Sequence, residues 1–204
     1  MTDLLLATRN PGKLVELRRM LASADVAGIR VLGLADVPEF AEEPETGATF
    51  AENALAKARD AAKATGLASV ADDSGLAVDA LNGMPGVLSA RWSGRHGDDE
   101  ANLRLVLGQL GDVPDDRRGA AFVCAAALVV PGDSEVGEIV VHGEWPGHLA
   151  RAPRGTNGFG YDPIFVPEGE ARTSSELSPE EKDALSHRGR AMRALLPHLQ
   201  ALVG

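Results

Sequence analysis

The order in which strand-like and helix-like periodicities succeed one another constrains this chain most. Leu4-Leu5-Leu6-Ala7 is a short apolar run, Thr8-Arg9-Asn10-Pro11-Gly12-Lys13 follows it, and Leu14, Leu17, Met20 and Leu21 then recur at helical spacing. This predicts strand, loop, helix. A second short strand is expected over Ile29 to Leu32, followed by an acidic loop from Val37 to Gly47 that is dense in Pro and Glu. Thr49-Phe50-Ala51-Glu52 has the form of a capping box, in which hydroxyl and carboxylate reciprocally satisfy amides at a helix start. The helix it opens is expected to reach Thr65 and stop at Gly66. Leu67 to Ala71 reads as a buried strand that delivers Asp72-Asp73-Ser74-Gly75 at its carboxyl end, and Leu76 to Val78 resumes an extended run. Asp98-Asp99 open another helix, with Leu103, Val106, Leu107 and Leu110 on one face and Gly111 at its end.

From Ala120 to Val130 the residues are apolar without a break, Pro131-Gly132-Asp133-Ser134 make a turn, and Glu138 to Trp145 alternate roughly in and out. This is a β-hairpin pattern. Arg151 to Tyr161 is Gly-rich and irregular, and Ser178-Pro179-Glu180-Glu181 announces a last helix that Ser186-His187-Arg188-Gly189 either interrupts or joins. Alternating helices and strands followed by a hairpin predict an α/β fold with a mixed sheet. No repeat, low-complexity tract or linker divides the chain, so residues 1–204 are expected to form one domain.

At 204 residues with 44% hydrophobic and 25% charged residues, the chain is long enough to bury a sizeable core. Aromatic residues make up only 4%, so small side chains are expected to fill that core. The net charge of −10 excludes long polyanions such as nucleic acid or an anionic membrane as evident partners, and phosphate must be handled locally. The single Cys124 has no intramolecular disulfide partner and lies in an apolar run, which fits a reducing cytoplasm. Met1-Thr2-Asp3 has an acid where a signal peptide wants positive charge, and no segment approaches the roughly 18 apolar residues of a membrane span.

Five groups of residues can do chemistry. Thr8 to Lys13 lies between a strand and a helix, where amides and the positive end of the helix dipole favour an anion. It lacks the spacing of a Walker A loop, and spacing alone leaves open a solvated helix end. Asp72-Asp73-Ser74-Gly75 sets two carboxylates side by side, an arrangement that calls for a cation such as Mg²⁺ or, equally, for a turn in which they cap amides. Asn53 and Lys57 share a helix face at i and i+4, and Lys57 stands on an Ala-rich helix that packs closely on its neighbours. Gly155 to Pro163 offers Phe159 between two glycines for stacking on a base, or is a turn that returns Phe159 and Tyr161 to the core. Lys182 with Ser186-His187-Arg188 brings three cationic or switchable groups together. The five histidines never stand at zinc spacing, and no Gly-x-Ser-x-Gly elbow is present.

Together, Thr8-x-Asn10-x-x-Lys13, Thr49-Phe50-x-Glu52-Asn53-Ala54-x-x-Lys57-Ala58, Ala71 to Leu76, Gly83-x-Pro85-Gly86-Val87-x-Ser89-Ala90-Arg91, Gly158 to Pro163 and Ser186 to Gly189 strongly resemble the Ham1-like inosine triphosphate pyrophosphatase family, in order and over nearly the whole chain. The resemblance implies a dimeric, Mg²⁺-dependent enzyme that hydrolyses ITP, dITP and XTP to the monophosphate and pyrophosphate. It also implies a long mixed sheet flanked by helices, in two lobes with the nucleotide in the cleft between them. Carried over by position, Thr8, Arg9, Asn10, Pro11, Gly12 and Lys13 bind the triphosphate, Asp73 is general base and metal ligand with Lys57 beside it, and Ser74 touches substrate. Phe159, Gly160, Tyr161 and Asp162 line the base pocket, which Lys182, His187 and Arg188 complete. The family commonly shows Glu-Glu-Thr-Gly before the capped helix, whereas this chain reads Glu43-Pro44-Glu45-Thr46-Gly47, leaving Glu43 or Glu45 as the second metal ligand. Two other readings are a Maf-like pyrophosphatase on modified pyrimidine nucleotides, which the Ser-His-Arg motif opposes, and a nucleotide-binding module without turnover.

Overall fold

The structure is a computed structural model that describes residues 1–24, 26–41, 44–132 and 137–203. Strand β1 (Thr2–Leu6) leads into helix α1 (Pro11–Ser23), and β2 (Ile29–Leu32) follows. Helix α2 (Phe50–Thr65) precedes β3 (Ala68–Val78), and the short β4 (Met84–Pro85) precedes α3 (Asp99–Gln109). Strands β5 (Gly119–Val129), β6 (Glu138–Leu149) and β7 (Phe165–Pro167) then lead to α4 (Pro179–Leu185) and α5 (His187–Gln200). Among the described residues the strands hydrogen-bond in the order β2-β1-β3-β5-β6-β7, with β4 on β3. The sheet is mixed: β1 pairs in parallel with β2 and β3, while β3–β4 and β6–β7 are antiparallel. The α/β expectation holds.

Two compact units divide the chain. The first takes residues 1–73, 124–143 and 190–204, and the second takes 74–123 and 144–189. Each has its own core. In the first unit β5 is covered on both faces, because Cys124, Ala126 and Leu128 join Leu4, Leu6, Val70 and the α5 residues Ala191, Met192 and Leu195, whereas Ala125, Ala127 and Val129 join Ala54, Ala58 and Ala62 of α2. Alternation along a strand sends successive side chains to opposite faces, so an unbroken apolar run is what a strand covered on both faces requires. The second unit corrects the expectation of a ring-poor core. Phe122, Trp145, Tyr161 and Phe165 gather there with Leu76, Leu103, Val106, Leu110 and Ile164, and Phe122 meets Phe165 edge-on with centroids 4.6 Å apart.

Local signals place most elements. Thr49 caps α2 through the Glu52 amide at 3.2 Å, although the Glu52 carboxylate accepts from the Ala48 amide, one residue before the cap. Ser178 and Glu181 form a reciprocal capping box on α4. Ser186 is extended and separates α4 from α5, its hydroxyl accepting from the Gly189 amide at 3.1 Å, so the Ser-His-Arg-Gly motif opens a new helix. Asp133 and Ser134 of the expected hairpin turn lie outside the described residues. Among the described residues no helix is long and apolar enough to cross a membrane.

The β6–β7 pairing depends on Gly147, which faces Pro167. A Cβ there would run into the Val166 carbonyl oxygen and stand 2.8 Å from the Phe165 ring. Gly108, by contrast, is exposed within α3 with nothing within 4 Å of a Cβ. Gly147→Ala should therefore cost about 1–3 kcal/mol by overpacking, whereas Gly108→Ala should stabilise by about 0.5–1 kcal/mol through helix propensity. Thermal unfolding of the two variants is expected to move Tm in opposite directions.

Candidate functional site

Asp72 and Asp73 are neither at a strand end nor in a turn. They lie in the middle of β3, which runs without interruption from Ala68 to Val78. Side-chain alternation sends them to opposite faces, and this answers the like-charge problem that their adjacency poses. Val70 and Asp72 share the face packed by α1 and Cys124, while Ala71 and Asp73 share the face packed by α2.

On the first face Lys13 Nζ donates to Asp72 Oδ2 at 2.8 Å, and the Asp72 side chain is only 1% exposed. Cys124 Sγ lies 4.0 Å from the same oxygen. Lys13 is brought there by the start of α1, where Pro11 occupies the first turn and Asn10 caps it by accepting from the Gly12 amide at 2.9 Å. Thr8 Oγ1 accepts from the Asn10 amide at 3.2 Å. Two amides of this loop are thus engaged by its own side chains, and Arg9 is exposed at its tip.

On the second face Asn53 and Lys57, one turn apart on α2, both reach Asp73. Asn53 Nδ2 donates to Asp73 Oδ2 at 2.9 Å while its Oδ1 accepts from the Gly47 amide at 2.8 Å, tying the acidic loop to the helix start. Lys57 Nζ lies 3.5 Å from Asp73 Oδ1, 3.4 Å from the Asp72 carbonyl oxygen, and is ion-paired to Glu45. Burial pushes the Asp73 carboxyl above its ordinary range, against the pull of Lys57 and Asn53, and Glu45 and Asp72 push it further the same way. Burial also opposes charge on Lys57, but Asp73, Glu45 and Asp72 together outweigh it and raise its pKa.

The oxygens of Glu45, Asp73 and the Asp72 carbonyl converge on one ammonium, so the site is built to hold positive charge with hard donors. That donor chemistry fits a divalent cation that takes one or two carboxylates and leaves its remaining positions to water and phosphate. Among the described residues no three His, Cys, Asp or Glu side chains gather into a complete cage. Glu43, the other expected ligand, lies outside the described residues.

The second unit holds the ring and the remaining cations. Phe159 is 56% exposed, whereas Tyr161 is buried and donates its hydroxyl to the Ser89 carbonyl at 2.8 Å. The two possibilities for the Gly-rich loop are therefore split between its rings. Burial, with help from Asp99, raises the Tyr161 pKa and keeps the phenol a donor. Asp162 is buried and organises the loop: its Oδ2 accepts from the Phe159 amide at 2.8 Å and from Lys182, whose ammonium lies 5.4 Å from the Phe159 ring centroid. Gly158 adopts φ +80, and a Cβ there would collide with the Asp162 carboxylate. The Gly160 amide donates to Asp99 at 2.9 Å. His187 stacks on Phe122 at 4.9 Å with 13° between the planes, and Arg188 Nη2 donates to Ser74 Oγ at 3.2 Å.

The structure thus gathers Lys57, Glu45 and Asp73 on one face of β3 in the first unit, with Lys13 on Asp72 at the other face, and Phe159, Asp162 and Lys182 in the second unit, where Arg188 is joined to Ser74 and His187 to Phe122. The sequence reading left three contributors without a role: Phe122, which backs His187, and Asp99 and Ser174, which tie down the Gly-rich loop. For Asp99 a signal was available, since an acid in the first turn of a helix has amides to attract but also a side chain to spare.

Residues 4–198 match the model of the Ham1 family. The chain is 67% identical over 202 residues to the dITP/XTP pyrophosphatase of Nocardia farcinica, covering 99% of this chain and 97% of that one. The dITP/XTP pyrophosphatase of Streptomyces coelicolor is 57% identical over 204 residues and covered in full, as is this chain. Among solved structures, a HAM1 protein from Coxiella burnetii superposes with a TM-score of 0.87 at 43% identity, over 98% of this chain and all of that one. This chain belongs to the Ham1 family.

The buried Lys13–Asp72 pair makes its own prediction. Removing one partner strands a charge, whereas removing both leaves a neutral site. Lys13→Met should lose about 3 kcal/mol in urea unfolding, and Lys13→Met combined with Asp72→Asn should recover most of that loss.

Proposed function

We propose that this chain is a nucleoside triphosphate pyrophosphatase acting on non-canonical purine nucleotides, dITP, ITP and XTP, and releasing the monophosphate and pyrophosphate. Relatives at 57% and 67% identity over the full chain that are named dITP/XTP pyrophosphatases support the reading. The observation that carries it is the setting of Asp73: a partly buried carboxylate whose proton affinity is raised, fixed in direction by Asn53 and flanked by Lys57.

Asp73 is the general base. It accepts a proton from the attacking water as the water oxygen bonds to the α-phosphorus and the bond to the α,β-bridging oxygen breaks, so that pyrophosphate departs. Lys13 and Lys57 offset charge on the departing group, where phosphoryl-transfer catalysis mostly operates. The loop from Thr8 to Lys13 binds the triphosphate through Thr8, Arg9, Asn10, Gly12 and the rigid Pro11, and Ser74 contacts the substrate. Phe159 stacks on the base, Gly160, Tyr161, Asp162 and Lys182 shape its pocket, and His187 and Arg188 supply donors to the 6-oxo group. Donors set against an oxo group leave an amino-bearing base with unpaired polar contacts, which discriminates strongly.

Mg²⁺ is the proposed cofactor, held by Asp73 and Glu45 or Glu43, and when bound it supplies positive charge that screens the triphosphate and lowers the pKa of water. Glu45, Asp72 and Asp73 already engage Lys13 and Lys57 before a polyanion arrives, which supports a further cation at this site. We further place the enzyme in the cytoplasm, consistent with its single buried thiol, as a homodimer whose 1–204 chain works as one domain.

Asp73→Asn should lower kcat for pyrophosphate release from ITP by about 10²- to 10⁴-fold, the usual worth of a general base, while ITP still binds in a calorimetric titration. Wild-type protein that releases no pyrophosphate from ITP, dITP or XTP with Mg²⁺ present would refute the proposal. Chelation with EDTA should abolish turnover, and excess Mg²⁺ should restore it.

A further inference from the structure

Three consecutive hydroxyl side chains, Thr173, Ser174 and Ser175, are buried with at most 1% exposure, and each is directed at the Gly-rich loop. Thr173 Oγ1 donates to the Arg154 carbonyl at 2.9 Å, Ser175 Oγ donates to the Asn157 carbonyl, and Ser174 Oγ donates to Asp162 Oδ1 at 2.6 Å. The backbones interlock as well, the Asn157 amide donating to the Ser175 carbonyl at 3.0 Å. At Gly155, with φ +81, a Cβ would stand 2.5 Å from the Ser175 carbonyl carbon. The loop is moulded on this buried segment.

Of the three hydroxyls, Ser174 is the one that meets the buried Asp162 carboxylate. A carboxylate is planar, so a donor that fixes one oxygen also fixes the direction of the other. With Oδ1 held by Ser174, Oδ2 is aimed at the Phe159 amide and at Lys182. The terminal torsion of an aspartate is otherwise broad, and the ring and ammonium that depend on Asp162 would share its freedom.

We infer that Ser174 is a positioning residue for purine recognition, its buried hydroxyl setting the Asp162 carboxylate plane and, through it, the Phe159 ring and the Lys182 ammonium. This rests on the proposed pyrophosphatase activity and adds to it a determinant that touches no substrate. Its effect is confined to the base, because the phosphate-binding residues belong to the other cluster.

Ser174→Ala is the test, read by steady-state hydrolysis of ITP and by competitive inhibition with tripolyphosphate, which has no base. A hydrogen bond to a charged group is worth enough to raise KM for ITP by about tenfold. In that case kcat and the inhibition constant of tripolyphosphate stay within about twofold of wild type, since neither depends on the base. An unchanged KM overturns the inference, and so does an equal weakening of tripolyphosphate, which is what general loosening of the fold would produce. Should the alanine variant fail to fold, Ser174→Cys keeps the shape with a weaker donor, and the same split decides. A wild-type protein that does not hydrolyse ITP removes the pyrophosphatase reading and this inference together, whereas active wild type with an unchanged Ser174→Ala removes the inference alone.

Discussion

Alternation along a strand with two covered faces is the constraint on which the rest depends. In β3 it separates two adjacent carboxylates that could not otherwise stay charged side by side, giving each its own helix and its own lysine. Asp72 meets the lysine that opens α1, and Asp73 meets the asparagine and lysine of α2. The division leaves the two carboxylates in different settings. Asp72 is almost wholly buried and ion-paired to Lys13, while Asp73 keeps some exposure and shares Lys57 with Glu45.

The small side chains of α2 serve the same end. Ala54, Ala58 and Ala62 recur every fourth residue and lie against Ala71, Ala125 and Ala127 of the strands. Contact through methyl groups brings the helix close to the sheet, which is how Asn53, with a side chain of only modest reach, touches Asp73 at 2.9 Å. The second unit has no such requirement, and its bulk comes from rings that brace one another, with His187 laid flat on Phe122.

Much of this was legible in the sequence because its signals are local. Thr49, Asp98 and Ser178 each announce a helix with a side chain that caps it, and the apolar run from Ala120 announces a strand covered on both faces. The mistakes have a physical pattern. Asp72-Asp73-Ser74-Gly75 consists of turn-forming residues, and only partners far away in the chain hold it extended. β4 and β7 are two and three residues long, too short to carry a period. Thr173 to Ser175 carry no signal of their own, since nothing in a serine's neighbours along the chain reveals that its hydroxyl is buried. For the lysines and acids of the candidate site spacing left alternatives open and the family resemblance supplied the roles, whereas which lysine meets which acid is a property of the sheet.

The composition of the first unit's core bears on how the chain is made. Leu4 and Leu6 from β1 share that core with Ala191, Met192, Leu195 and Leu199 from α5, so the segment synthesised early waits for one synthesised late. A nascent chain emerging from the ribosome exposes the apolar face of its first strand until α5 has been made. Completion of this half therefore waits on the synthesis of α5, and a chain cut short before α5 leaves that core open.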